Sequence, residues 1–231
     1  MIKISLFFAL LLLDDFTGEA AAGGGHRFWV DGEPARPIQK PDGYYIFTQP
    51  RAPCTVAVES GWYSPAALRV DPEDLDPAEP TVRLRLLRRG EIRFPGCERL
   101  EGLGPPGATV RAFLPEAPPL TLREGKGADL ILGGYTAKPL RGLRFAVGEG
   151  KNRELFVVEE KRPDGSCRIH PPFQRRHKQG EAVERVSSCL CGPDGRYALC
   201  LEQGSGRRVR ELSYYNEEVK RWECLSAPGP R

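Results

Sequence analysis

Cys167, His170, His177, Cys189, Cys191 and Cys200 are the side chains of this sequence best suited to holding a metal ion. Zinc takes four nitrogen or sulfur ligands in a tetrahedron, usually from paired knuckles. The spacings Cys167-x-x-His170 and Cys189-x-Cys191 match no standard knuckle. On a strand, residues two apart share a face, as ordinary buried thiols do. The expectation is no metal site and no cofactor.

A second candidate is Gln174-Arg175-Arg176-His177-Lys178, next to Phe173. Arginines beside an aromatic ring bind phosphate and stack bases in single-strand binding proteins. Here Glu181 and Glu184 follow the run, and 34 basic against 31 acidic residues leave a net charge of only +3. That charge builds no extended basic field, so a solvated loop is preferred and nucleic acid is not expected as a partner. Phe173, Arg175 and Arg176 are kept as candidate contact residues.

Little else is arranged for catalysis. Asp14-Asp15 and Glu159-Glu160 are adjacent carboxylates, and neighbours on a strand point to opposite faces, so neither pair is set for acid–base work. Gly102-x-Gly104 lies in proline-rich sequence with no helix after it and lacks the context of a phosphate loop. No catalytic residues are assigned and a non-enzymatic role is expected. Trp62-Tyr63 is the best contact candidate, because loop aromatics anchor interfaces; the preferred alternative is that they tuck over the end of the sandwich.

The elements that carry these residues read as strands and turns. Twenty-six glycines and 22 prolines suit short strands, since both residues are poor in helix interiors. Residues 81–86, TVRLRL, alternate cleanly, with Val82, Leu84 and Leu86 on one face and the arginines on the other. Val56 and Val58 alternate in the same way. Residues 71–80, DPEDLDPAEP, are a connection without a strand.

The turn Pro-Asp-Gly occurs at 41–43, 163–165 and 193–195. Proline presets φ, Asp tolerates the next position and glycine takes the left-handed one, which favours hairpins. Residues 95–107 hold seven glycines and prolines and read as a domain boundary. Beyond it, strands are expected at 109–114, 120–123, 129–132, 143–147, 154–159, 167–170, 196–201 and 207–214, with a short helix over 216–222.

The apolar run over residues 4–13 has two readings. Lys3 before it and Ala20-Ala21-Ala22 after it fit a secretory leader cleaved near Ala22. A buried strand ended by the turn residues Asp14 to Gly18 is the preferred alternative. The run is too short to span a bilayer as a helix. The seven cysteines are odd in number, which fits reduced thiols in a cytoplasmic or particle-associated protein better than a secreted disulfide framework.

Asp15-Phe16-Thr17-Gly18, Lys40-Pro41-Asp42-Gly43-Tyr44-Tyr45-Ile46-Phe47, Thr55 to Glu59, Gly61-Trp62-Tyr63 and Thr81 to Leu86 occur in an order that resembles carboxypeptidase regulatory-like (transthyretin-like) domains. The resemblance covers residues 6–88. It implies a seven-stranded, Ig-like antiparallel β-sandwich without catalytic residues. In the second half, Leu155-Phe156-Val157-Val158 and Arg168 to Phe173, with His177 and Gly180, are similar to small β modules of phage-tail-like proteins.

The expectation is an all-β chain. Residues 1–90 form the sandwich, 91–107 a linker and 108–225 a second β domain, read as a sandwich with a small barrel inserted over 115–186. The expected role is a structural or adaptor component of a larger protein assembly, with a phage-tail-like or contractile particle as the specific case. The alternative is a secreted or surface module that binds glycan or protein.

Overall fold

The computed structural model describes residues 6–21, 23, 25–48, 52–134 and 139–225, the side chain of Arg207 excepted. Residues 4 and 5 of the apolar run, and Ala22, lie outside the described residues. The fold is all-β, and among the described residues the only helical turns are 3-10 turns at Pro72–Asp74, Gly150–Asn152 and Gly206–Arg208. The chain divides into two compact units, Met1–Asp14 with Glu19–Arg89, and Asp15–Gly18 with Gly90–Arg231.

The first unit holds eight strands, β1 (Phe8–Asp14), β2 (His26–Val30), β3 (Glu33–Ala35), β4 (Ile38–Gln39), β5 (Tyr44–Phe47), β6 (Cys54–Ser60), β7 (Ala66–Val70) and β8 (Thr81–Leu86). They form two four-stranded sheets, β4-β5-β1-β8 and β3-β2-β6-β7. Phe8, Leu10, Leu12 and Leu86 from the first sheet and Phe28, Val56, Val58 and Val70 from the second share one core, which makes the unit a β-sandwich. Burying each large apolar side chain stabilises by about 1.5–3 kcal/mol, so the apolar run that opens the chain contributes heavily here. Val82 and Leu84 pack against the core while Arg83 points outward, as the alternation requires. One feature departs from the antiparallel expectation: β1 and β8 are parallel, with Leu10 opposite Val82 and Leu12 opposite Leu84. The acidic connection 71–80 carries the chain from one sheet to the other and makes this possible.

The second unit begins inside the stretch read as a linker. Residues 97–103 form β9 (Cys97–Leu103), which pairs antiparallel with β16 (Arg196–Glu202). Leu100 is partly buried against the core beneath β16, and glycine and proline are confined to the strand's ends and to Gly102, where a Cβ would collide with the Tyr197 ring at 2.4 Å from Oη. The linker reading fails because glycine frequency reported close packing as well as turns.

The remaining strands are β10 (Thr109–Lys126), β11 (Asp129–Gly133), β12 (Arg144–Val147), β13 (Glu154–Lys161), β14 (Ser166–His170), β15 (Ala182–Leu190), β17 (Glu211–Asn216) and β18 (Arg221–Cys224). The segments 109–114 and 120–123 are one strand, β10, with a register shift between Pro115 and Leu120. Pairings run from β10 through β11, β14, β13, β12 and β15 and return to β10. They surround a core of Leu120, Leu122, Leu130, Phe145, Phe156, Val158, Ile169 and Val183. The other half of β10 pairs with β17, which pairs with β18 at the sheet edge. One face of that half packs on β16 through Val110, Ala112, Leu199 and Leu212. Residues 216–222 form a turn and the start of β18 instead of a helix, with Lys220 at φ 52°.

All three Pro-Asp-Gly glycines take positive φ, 88°, 85° and 77°. The first two turns join paired strands, β4 to β5 and β13 to β14. The third joins β15 to β16, which lie in different sheets.

Candidate functional site

Trp62 and Tyr63, adjacent in sequence, go opposite ways. Tyr63 is 2% exposed and belongs to the sandwich core. Its hydroxyl donates to Asp14 Oδ2 at 3.1 Å, and the same oxygen accepts from Arg88 Nε at 2.7 Å. Burial and the negative charge of Asp14 push the phenol well above its ordinary range. Tyr63 is therefore a fixed core residue and not a surface contact; its buried hydroxyl needs the carboxylate that β1 supplies. Trp62 stays 43% exposed. Its ring lies over Gly23, where a Cβ would come within 2.4 Å of Cζ3 and where φ is +79°, so glycine is required beneath the indole.

The loop after β14 is organised around His177. The imidazole is 2% exposed and sits between two carboxylates, with Nε2 2.7 Å from Glu154 Oε2 and Nδ1 3.0 Å from Glu181 Oε2. Glu154 also accepts from the backbone N–H groups of Gln174 and Arg175, at 2.8 and 3.1 Å, and Glu181 from that of Lys178 at 2.8 Å. Phe173 packs edge-on against both Phe156 and His177, with ring centroids 5.3 and 4.9 Å apart. Of the residues expected to make contacts, Phe173 is thus an inner plug. Arg175 is exposed but donates to Asn152 Oδ1 at 3.1 Å, and Arg176 is exposed. His177, read as one member of a metal or basic cluster, is the post on which the loop is built.

The cysteine–histidine set is dispersed. Cys167 lies in the core enclosed by β11–β15, Cys189 and Cys191 lie in the core beneath β16, and His170 is exposed. Burial pushes the Cys189 thiol up to about 12 and also raises Cys167 and Cys191, which disfavours the thiolate that a metal or a nucleophile needs. Among the described residues no three metal-competent side chains converge.

A charged sheet face of the second unit was not announced by the sequence. Cross-strand partners on β10, β15 and β17 set its rows: Arg111 opposite Ser188 and Ser213, and Phe113 opposite Val186 and Glu211. Arg153, its side chain 2% exposed, stacks on Phe113 at 3.9 Å and forms a two-pronged pair with Glu211 at 2.7 and 2.6 Å. That pair holds Glu211 below its ordinary carboxylate range. Glu184, 4% exposed, is gripped by Arg210 at 2.7 Å on each oxygen, yet burial still raises it. Trp222 from β18 covers the rows, lying 5.5 Å from Arg153 and 5.3 Å from Arg111.

Comparisons of the chain with family models, with curated proteins and with solved structures find no match. The functional reading rests on the chain's own residues.

On the opposite face of β10 and β15, a shallow cleft is lined by Phe16, Leu114, Arg185, Leu201, Glu202 and Ser205. Arg185 crosses it, bonded to Glu202 Oε1 at 3.1 Å and to the Phe16 carbonyl at 2.8 Å. These bonds tie residues 15–18 to the second unit, as does the contact of Gly18 with Gly142, where a Cβ would meet backbone at 2.4 Å.

Proposed function

We propose that this chain acts by contact, as a structural or adaptor component of a larger protein assembly, with a phage-tail-like or contractile particle as the specific case. The observation that carries this reading is the pair Trp62 and Tyr63. A large indole is held out at the surface, on glycine, next to a tyrosine locked into the core by Asp14 and Arg88. A rigidly based, exposed tryptophan loses little freedom on binding and is the kind of side chain that dominates interface energies. The ring of strand pairings around its own core in the second unit supports a small barrel joined to further β layers, an architecture of modules in series.

We also propose that the opening apolar run is retained in the working protein. Phe8, Leu10 and Leu12 are at most 1% exposed, and β1 is paired on both sides. Intact mass of the protein from its native source tests this, since a cleaved leader would shorten the chain by about 22 residues and would favour the secreted alternative.

The contact reading is tested by native purification. The chain, 25.6 kDa alone, is expected to migrate with a particle many times its mass. Trp62→Ala should weaken that association by about 1–4 kcal/mol without lowering thermal stability, whereas Tyr63→Phe should lower stability and spare the affinity of the folded fraction. A monomer that associates with nothing, or turnover of a peptide, glycan or ester abolished by one substitution, would overturn it.

A further inference from the structure

Besides Arg153 Nε, two polar atoms on the β10–β15–β17 face are closed to solvent and have no hydrogen-bond partner, Arg111 Nε and Ser188 Oγ. They belong to directly opposed residues, whose side chains rise from the same face about 5 Å apart at Cβ. Ser188 is nine-tenths buried. A buried hydroxyl without a partner and an arginine fork without an acceptor each cost free energy, and native folds rarely leave two side by side.

The neighbouring charges are mostly spent on one another. Arg144, from the neighbouring strand β12, spends its own fork on Asp15, with Nε and Nη2 at 3.1 and 2.8 Å from Oδ1. Glu217 is paired with Lys220 at 3.0 Å. Arg153 spends its two Nη groups on Glu211 and Ser213, leaving its Nε without a partner. Arg111 makes no ion pair among the described residues; its contact is the face of Trp222, 5.3 Å away. Burial and the positive charge of Arg144 outweigh Asp15 and Glu217 and pull the Arg111 guanidinium down to about 10.

We propose that Arg111 and Ser188, beneath Trp222, form a binding site for a single carboxylate. The Nε–H edge of a guanidinium presents two parallel donors, which match the two oxygens of a carboxylate, and the serine hydroxyl adds a third. A phosphate dianion is a poorer fit, because its second charge would face Asp15, which stands behind Arg144. Trp222 is carried on the edge strand β18, which pairs only with β17, so the cover over the site is on a strand held from one side. An acidic side chain or chain terminus of a protein partner and a small free acid share this chemistry. The site goes beyond the contact role proposed above and does not depend on it.

The experiment is an NMR titration of the full chain, following the Arg111 Nε–H and the Trp222 indole N–H, with acetate, phosphate and chloride compared at one ionic strength. Acetate is expected to move both resonances along a saturable curve while chloride does not. Arg111→Lys, which keeps the charge and removes the fork, should weaken acetate about tenfold, and Ser188→Ala about threefold. Because Ser188→Ala deletes only an unbonded oxygen, it should fold as the wild type does and keeps the test open if the arginine variant does not. A peptide with a lone C-terminal carboxylate, set against its amide, then separates a partner terminus from a free acid: displacement of acetate by the acid form alone assigns the terminus. No saturable shift with acetate, or phosphate binding tighter than acetate, would overturn the proposal. So would an ordered water, seen as a persistent water contact to Arg111 Nε–H that acetate does not displace.

Discussion

Arg153 and Arg111 stand on the same sheet face and against the same indole, yet they are opposites. Arg153 is deeply buried and has its opposite charge at hand: both Nη groups meet the two oxygens of Glu211, with Ser213 and the Phe113 ring beside them, and only its Nε lacks a partner. Arg111 has the indole and an unbonded serine. Burying a guanidinium costs several kcal/mol whichever residue carries it. Where the compensation comes from inside the chain, the charge fastens the fold. Where it does not, the chain keeps a cost that a ligand can relieve. The lesson is that burial alone does not mark a charge as part of the fold; the presence of an opposite charge within the chain does.

The comparison breaks most visibly through Glu211. Glu211→Gln leaves Arg153 with a neutral, weaker partner inside the sheet face and is expected to cost about 3 kcal/mol, the scale for breaking a buried pair from one side. Urea unfolding with an unchanged m-value would measure it; a loss under about 1 kcal/mol would mean that water reaches Arg153 easily. Arg111→Met should do the reverse, leaving stability unchanged or raising it by up to about 1 kcal/mol, since it removes an unmatched charge and keeps apolar contact with Trp222. A destabilisation comparable to that of Glu211→Gln would show that Arg111 is matched after all.

The smallest effect concerns pH. Glu211 is held below its ordinary value by Arg153, so its contribution is present above the unfolded value of 4.5 and is lost as pH falls through its lower folded value. Glu184 is raised by burial, so the stability linked to its protonation is present below 4.5 and is lost as pH rises through its higher folded value. Unfolding midpoints followed from about pH 3 to about pH 7 should therefore respond oppositely. Glu211→Gln removes a gain with rising pH, and Glu184→Gln removes a loss. Slopes of the same sign in both variants would contradict the assigned environments.

Strands in the first unit were legible where only one face is buried. Val56, Val58, Val82, Leu84 and Leu86 alternate with polar neighbours, and the structure places them on the core side. β15 was not legible, because both of its faces are covered. Glu184, Ser187 and Ser188 are buried beside Val183, Val186 and Cys189, and the polar residues hid the period. β9 was hidden by its flanking glycines and prolines. At the candidate sites, nothing in the sequence separated the exposed Trp62 from the buried Tyr63 beside it, because nothing local shows that Asp14, 49 positions away, reaches the tyrosine hydroxyl.

By itself, the sequence determined the all-β class, the face of its cleanest strands and the three turns whose glycines must take positive φ. These follow from neighbours one to three positions apart, since pleat and turn geometry are local. The tertiary structure decided which charges are matched. Arg88 finds Asp14 across 74 positions, Arg144 finds Asp15 across 129 and Arg153 finds Glu211 across 58, while Arg111 finds no carboxylate partner among the described residues. Ion pairing depends on distance in space and on loss of water, and neither has a period along the chain.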